Sequence, residues 1–306
     1  MRITDPGLYD MPEADYHADP CPEPSLSSTL ARLMVNRSPR HAWTASPRLN
    51  PDHEPVNKET FDVGRAAHAV LLGRGAPIEV VEADDWRSKA AQQQRDEARL
   101  AGYTPLLRHQ YDAVLEMVGA ATTQLAAFGL TFPLGATEVV AAAPIDGVWC
   151  RAMIDYAPDN PLEPLWDLKT CEDASPDACI RSVTGYGYDL QAAHYLDTWF
   201  AATLQKRGFR FAFVEKAPPY GVSVIELHAG DDDADWMLAA HDKASEARRL
   251  WGACLRTGHW PGYPAQVAVV GAPTFHVQKW EDRRAAGRPS PSRAALDTAY
   301  CMQAPA

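Results

Sequence analysis

Apolar and polar positions change period several times along this chain, and each change marks an element. Residues 25–35 repeat apolar positions at helical spacing behind Ser27 or Ser28, either of which suits an N-cap. Helical spacing also predicts helices over 61–72 and 111–128, with a long polar-apolar stretch at 84–100 between them. Residues 189–204, DLQAAHYLDTWFAATL, read as a helix, and 231–257 as a longer one. Between these, 137–170 switches to the period of strands. Two apolar, β-branched runs meet there at Asp146-Gly147, the dipeptide best suited to a two-residue type I′ hairpin turn. A further hairpin-like pair, 210–215 and 221–227, is joined by Pro218-Pro219-Tyr220-Gly221. Residues 1 to about 20, rich in Pro and Asp, are expected to be extended. Beyond Pro264 an apolar run at 267–270 precedes a tail for which partial order at most is expected after Arg283.

The hairpin fixes a register with chemical consequences. If Ile145 faces Val148, Glu138 falls directly opposite Asp155, and opposed residues stand side by side. Two like charges so placed cost free energy unless a cation lies between them. After a loop at 157–164, residues 165–170 (Leu-Trp-Asp-Leu-Lys-Thr) read as a short strand, with Asp167 and Lys169 on one face and Leu168 on the other, toward the core. A fold-back near Pro161 would bring Asp167 beside Asp155. Few hard oxygen donors with open positions suit Mg²⁺, and the Leu168 backbone carbonyl could add one more. The Lys169 ammonium could orient an attacking water or neutralise charge building on a phosphate. A surface salt bridge between Asp167 and Lys169 is the alternative reading of that pair.

Two further candidates come from helices. A histidine within Ala66-Ala67-His68-Ala69-Val70-Leu71-Leu72 reads first as a hydrogen-bonded helix residue and second as a ligand or acid–base group. Gln191 and Tyr195 stand four apart on one helix face, either packing there or leaning together over a metal or phosphate.

With 306 residues, 46% of them hydrophobic, the chain can bury an ordinary core as one large domain with appendages. No apolar run approaches a membrane span, and the N-terminus lacks the basic-then-apolar order of a signal peptide, so a soluble cytoplasmic protein without membrane partners is expected. Six scattered cysteines (Cys21, Cys150, Cys171, Cys179, Cys254, Cys301) form no C-x-x-C pair and indicate neither zinc nor a disulfide framework. No Walker-type loop is present, so no ATP is expected. A net charge of −11 argues against a nucleic-acid partner on average. Local clusters qualify that average: Arg32, Arg37, Arg40, His41 and Arg48; Arg87, Lys89, Arg95, Arg99, Arg108 and His109; and Lys243, Arg248, Arg249 and Arg256. Each could line a phosphate track or simply be a solvated helix face. The run Asp231-Asp232-Asp233 adds to the acidity.

Asp155 followed after eleven residues by Asp167-Leu168-Lys169 resembles the D…(D/E)-x-K signature of the PD-(D/E)XK nuclease superfamily. The flanking segments resemble, in order and spacing, the RecE-type nucleases of the exonuclease VIII group. These are Tyr16-His17, Ser25-Leu26-Ser27 and Ser38-Pro39; Gly64-Arg65-Ala66-Ala67-His68; Ala174-Ser175-Pro176; Gly185-Tyr186; Gln191-Ala192-Ala193-His194-Tyr195; and Glu215-Lys216-Ala217-Pro218-Pro219-Tyr220. The resemblance covers roughly residues 10–265. It implies an α/β fold with a restriction-endonuclease-like core, a central mixed β-sheet flanked by α-helices. By it, residues 1–60 are an N-terminal segment and helix packing on the core, 61–265 the nuclease domain, and 266–306 a partly ordered tail. It makes Asp155 and Asp167 the metal ligands, His68 an active-site residue that could join them, and Lys169 the catalytic base or charge stabiliser; Glu138 matches an acidic position and is a further candidate ligand, as is the Leu168 carbonyl from the strand pattern. Gln191 and Tyr195 match its Gln-x-x-x-Tyr motif. It further implies a phage-derived, Mg²⁺-dependent exonuclease, with Mn²⁺ able to substitute, acting on linear double-stranded DNA from 5′ ends. Such an enzyme works in recombination beside a single-strand annealing protein and can form a homo-oligomeric ring. The cysteines stand in too few of the right places for the iron–sulfur cluster of some relatives. An endonuclease using the same residues, and a non-catalytic DNA-binding or assembly protein, remain open.

Overall fold

The computed structural model describes residues 2–54, 59–130, 135–230 and 235–286. The Asp231-Asp232-Asp233 run, Cys301 and the end of the tail lie outside the described residues. Along the chain run β1 (Gly7–Tyr9), α1 (Glu13–His17), α2 (Ser28–Asn36), α3 (Pro39–Thr44), α4 (Glu59–Leu72), β2 (Ile78–Val81), α5 (Lys89–Leu100), β3 (Thr104–Leu107) and α6 (Arg108–Ala126). Then come β4 (Gly135–Ile145), β5 (Val148–Pro158), β6 (Leu165–Cys171), α7 (Pro176–Tyr186), α8 (Tyr188–Thr203), β7 (Phe209–Glu215), β8 (Val222–Glu226), α9 (Trp236–Thr257) and α10 (Thr274–Ala285). The described residues up to Tyr263 form one compact unit; those from Pro264 form a second, in which α10 buries no residue.

Six strands make the central sheet in the order β1-β4-β5-β6-β7-β8, with only β6 and β7 parallel, and β2 pairs with β3 in a small parallel sheet. Helices cover both faces, so the mixed α/β fold is as expected. β7 shows how the sequence divides the layers. Phe209, Phe211 and Phe213 pack with α7, α8 and α9, whereas Ala212 and Val214, on the opposite face, pack with α4 and α6. Phe211 and Phe213 are at most 1% exposed. Each such ring contributes on the order of 1.5–3 kcal/mol through burial.

The Asp146-Gly147 turn forms as expected: both residues have positive φ (52° and 77°), and Ile145 pairs with Val148. Ser27 caps α2, its side chain accepting from the Leu30 amide, and α9 begins at Trp236 behind an Asp235 cap. Several elements depart from expectation. The N-terminal stretch contains β1 and the short α1. Proline at the first turn of α3 starts a helix that apolar spacing did not suggest. Residues 104–107 are a strand, so α6 starts at Arg108 rather than 111. α7 fills the segment before α8.

Candidate active site

The hairpin register carries the first carboxylates together. Thr137 pairs with Tyr156 and Val139 with Ile154, which leaves Glu138 and Asp155 facing each other at a break in the ladder where Glu138 adopts φ 49°. β5 and β6 pair only at Tyr156 and Trp166, so Asp155 and Asp167 stand opposite one another one residue further on. There the two strands part. The Leu168 amide donates to Asp155 Oδ2 (2.7 Å), so a side chain takes the place of a ladder acceptor. The fold-back at Pro161 and the convergence of Asp155 and Asp167 therefore form as the strand pattern implied.

Asp167 is 2% exposed and held from two sides. Gln191 Nε2 on α8 donates to its Oδ1 (2.6 Å), and Lys169 Nζ lies 2.5 Å from its Oδ2. Oδ2 is thus buried against the ammonium as its close partner. Lys169 reaches back along its own strand to Asp167, and its Nζ sits 4.6 Å from the centre of the Tyr188 ring.

His68 arrives through small residues. A Cβ on Gly64 would come within 3.2 Å of Thr170 Oγ1, so glycine lets α4 lie close against β6, with Ala66 and Ala67 buried beside it. His68 Nε2 is then 2.8 Å from the Leu168 carbonyl and Nδ1 3.7 Å from Asp155 Oδ2. Glu138 lies 3.9 Å from Arg74 Nε, and Arg74 also pairs with Asp10. Tyr195 is placed differently from Gln191. It packs in the core, 6.0 Å from the Phe209 ring, and bonds to Ser28 rather than to the carboxylates.

The electrostatics follow from this crowding. Burial, then the Asp167 charge, raises Asp155 to about 6. Burial, then Glu13 and Asp155, raises Glu138. For Lys169, burial by itself disfavours the ammonium, but Asp167 and Asp155 outweigh it and hold its pKa above the ordinary value.

Sequence reasoning did not single out Tyr188, Arg74 or Glu13. A signal existed for Tyr188, which stands three residues before Gln191 on the same helix face. The cation clusters are mostly engaged internally. Arg32 donates to the Tyr186 carbonyl and Arg48 to three carbonyls of the N-terminal segment. Arg99, Arg108, Lys243, Arg248 and Arg249 lie against Asp62, Glu82, Asp189, Asp197 and Glu246.

The sequence pattern of a PDDEXK-like domain of unknown function, DUF3799, matches residues 33–272. The chain belongs to the DUF3799 family. Its PDDEXK-like core places the chain in the PD-(D/E)XK superfamily. No curated protein matches the chain significantly. Among solved structures, a candidate exonuclease from Eubacterium rectale is similar in fold, with a TM-score of 0.58 at 13% identity, over 89% of this chain and 98% of that one. A phage-related exonuclease from Haemophilus somnus 129PT matches at a TM-score of 0.30 and 12% identity, over 75% of this chain and 95% of that one, too low a score to carry an argument. Among the described residues no helix is long and apolar enough to cross a membrane.

Among the described residues, no three His, Cys, Asp or Glu side chains converge on one metal position. The donors that do converge are Asp155 and Asp167, with the Leu168 carbonyl already accepting from His68 when Nε2 carries the proton. The chemistry of this donor set, carboxylate and carbonyl oxygens, fits a hard divalent cation, which takes oxygen ligands and keeps waters for the rest.

Proposed function

We propose that this DUF3799 protein is a metal-dependent deoxyribonuclease that hydrolyses phosphodiester bonds of linear double-stranded DNA from its ends, in the manner of RecE-type enzymes. One observation carries the reading: Asp155 and Asp167 face each other across parting strands, with Lys169 2.5 Å from Asp167 and Asp155 held up to about 6. Structural charges are normally paired off, whereas two adjacent carboxylates await a cation. PDDEXK-like family membership supports a nuclease.

Asp155 and Asp167 would hold Mg²⁺, or Mn²⁺ in its place, with the Leu168 carbonyl, Glu138 and His68 at the margin of the site. When bound, the ion polarises a phosphoryl oxygen and makes water more acidic. The chain's own groups supply the rest. Lys169, kept protonated by its acidic neighbours, places positive charge where the phosphate gains negative charge. Gln191 fixes the Asp167 carboxylate, and His68 fixes the Leu168 carbonyl while presenting Nδ1 to Asp155. Digestion from 5′ ends, phage origin, a cytoplasmic setting, a partner annealing protein and a ring that pools cations from several copies follow from the RecE-type resemblance alone.

The test is digestion of 5′-labelled linear duplex DNA with Mg²⁺, beside a closed circular control, by wild type and Lys169→Ala. Loss of the linear form alone, abolished by the substitution, is the expected result. Cutting of the circle would make the enzyme an endonuclease. Binding without digestion would make the carboxylate cluster structural and overturn the proposal.

A further inference from the structure

Lys169 is a flexible residue whose side chain is 19% exposed, and a four-carbon stem has many ways to leave Asp167 for solvent or for a passing phosphate. What opposes this is a ring. Tyr188 opens α8 immediately after Gly187, and its centroid lies 4.6 Å from Lys169 Nζ, within the range at which an ammonium is attracted to an aromatic face. The ring is braced in turn by Phe211 and Phe213 of β7, at 5.9 and 6.3 Å, and by Tyr186 at 5.5 Å. Phe211 pairs with Asp167 and Phe213 with Lys169 in the parallel ladder, so the brace is attached to the strand beside the one it serves.

The turn that carries this ring is itself fixed. Gly187 has φ 66°, and a Cβ there would stand 3.2 Å from Arg32 Cδ and Asn36 Nδ2, so α2 closes over the start of α8. One helical turn then delivers two groups to one short stretch of β6, Gln191 to the Asp167 carboxylate and Tyr188 to the Lys169 ammonium.

We propose that Tyr188 is a positioning residue for Lys169, its aromatic face and the Asp167 carboxylate together holding the ammonium where the nuclease reading requires it. The proposal rests on that reading for its effect on rate, but its geometric content stands apart. The ring face, not the hydroxyl, does the holding. Phenylalanine therefore preserves the function, whereas an aliphatic side chain of similar size does not.

The experiment has two readouts. In the first, wild type, Tyr188→Phe, Tyr188→Leu and Tyr188→Met digest linear duplex DNA with Mg²⁺. The phenylalanine variant is expected to retain most of the activity. The leucine and methionine variants should lose about fivefold to tenfold in kcat with KM unchanged, the size of one cation–π contact. Methionine fills the space without a π face and guards against a packing collapse. In the second readout, the Lys169 ε-methylene signals, identified by their loss in Lys169→Ala, should be displaced by the ring current in wild type and Tyr188→Phe, and return to ordinary lysine positions in Tyr188→Leu. An undisplaced signal in wild type overturns the proposal whatever the enzyme does. So does full kcat in Tyr188→Leu, or an equal loss in Tyr188→Phe. A displaced signal in a protein that digests no DNA would keep the placement and remove the nuclease reading.

Discussion

The two long faces of α8 treat buried acids in opposite ways. Toward α9, Asp189 meets Lys243 at 2.6 Å and the Trp236 indole at 3.3 Å, while Asp197 meets Arg248 at 2.6 Å and His241 at 2.8 Å. Each carboxylate there has its own cation. Burial alone would raise Asp197, but His241 and Arg248 bring it below the ordinary carboxylate value. Toward the sheet, Gln191 bonds to Asp167 and Tyr188 faces Lys169, while Asp155 and Asp167 share that one lysine between two charges, and Asp155 is driven up to about 6. One face is a fastener, the other a site left short of positive charge. Acids paired so well on one side of a helix and underpaired on the other fit the proposed metal site.

Substitutions can break that contrast, the largest effect first. Lys169→Ala is expected to lower nuclease kcat by about a hundredfold to a thousandfold, the usual scale for one group that stabilises transition-state charge. An unchanged kcat in a steady-state assay would erase the distinction. On the other face, Asp197→Ala removes the 2.6 Å partner of Arg248, 7% exposed, and leaves it only Asp146 at 3.8 Å. It should cost about 1–3 kcal/mol of stability in denaturant unfolding while the folded fraction keeps its activity.

The faces should also answer pH with opposite sign. Asp155 binds its proton more tightly folded than unfolded, so its ionisation costs stability as pH rises from about 4 to about 6. Asp155→Asn should therefore be more stable than wild type at pH 8 by roughly 1–3 kcal/mol in chelator, and equal to it near pH 4. Asp197 is lowered, so its contribution is present above the ordinary carboxylate pKa and is lost as pH falls through its lower folded value. Urea titrations at several pH values compare the two directly. The smallest effect sharpens rather than breaks the contrast. Gly187→Ala, with φ 66° and α2 in the way, should cost about 1–2 kcal/mol by thermal unfolding and lower activity with it, because the same turn seats both faces.

Much of this was legible in local sequence. Asp146-Gly147 specified a turn, the turn specified a register, and the register set Glu138 against Asp155. Pro161 marked the fold-back that set Asp167 beside Asp155. What escaped depended on contacts between distant segments. Nothing in 104–107 separates a buried strand from the start of α6, because four apolar or small residues fit either. Arg32, Arg48 and Arg248 look like free cations in the chain and become structural only once a carbonyl or carboxylate from elsewhere meets them. Glu138 was expected in a regular ladder, and its left-handed backbone is set by the break between its neighbouring pairs.

The parallel pairing of β6 with β7 places a limit on when this protein can become complete. Parallel neighbours require a crossover, and here the crossover contains α7 and α8, the helix that supplies Tyr188 and Gln191. During synthesis the strand bearing Asp167 and Lys169 emerges before the helix that grips it and before the strand that shields its other edge. The reactive cluster is therefore assembled by material translated after it. A chain interrupted between Cys171 and Tyr188 carries Glu138, Asp155, Asp167 and Lys169, yet lacks the Tyr188 and Gln191 that hold them.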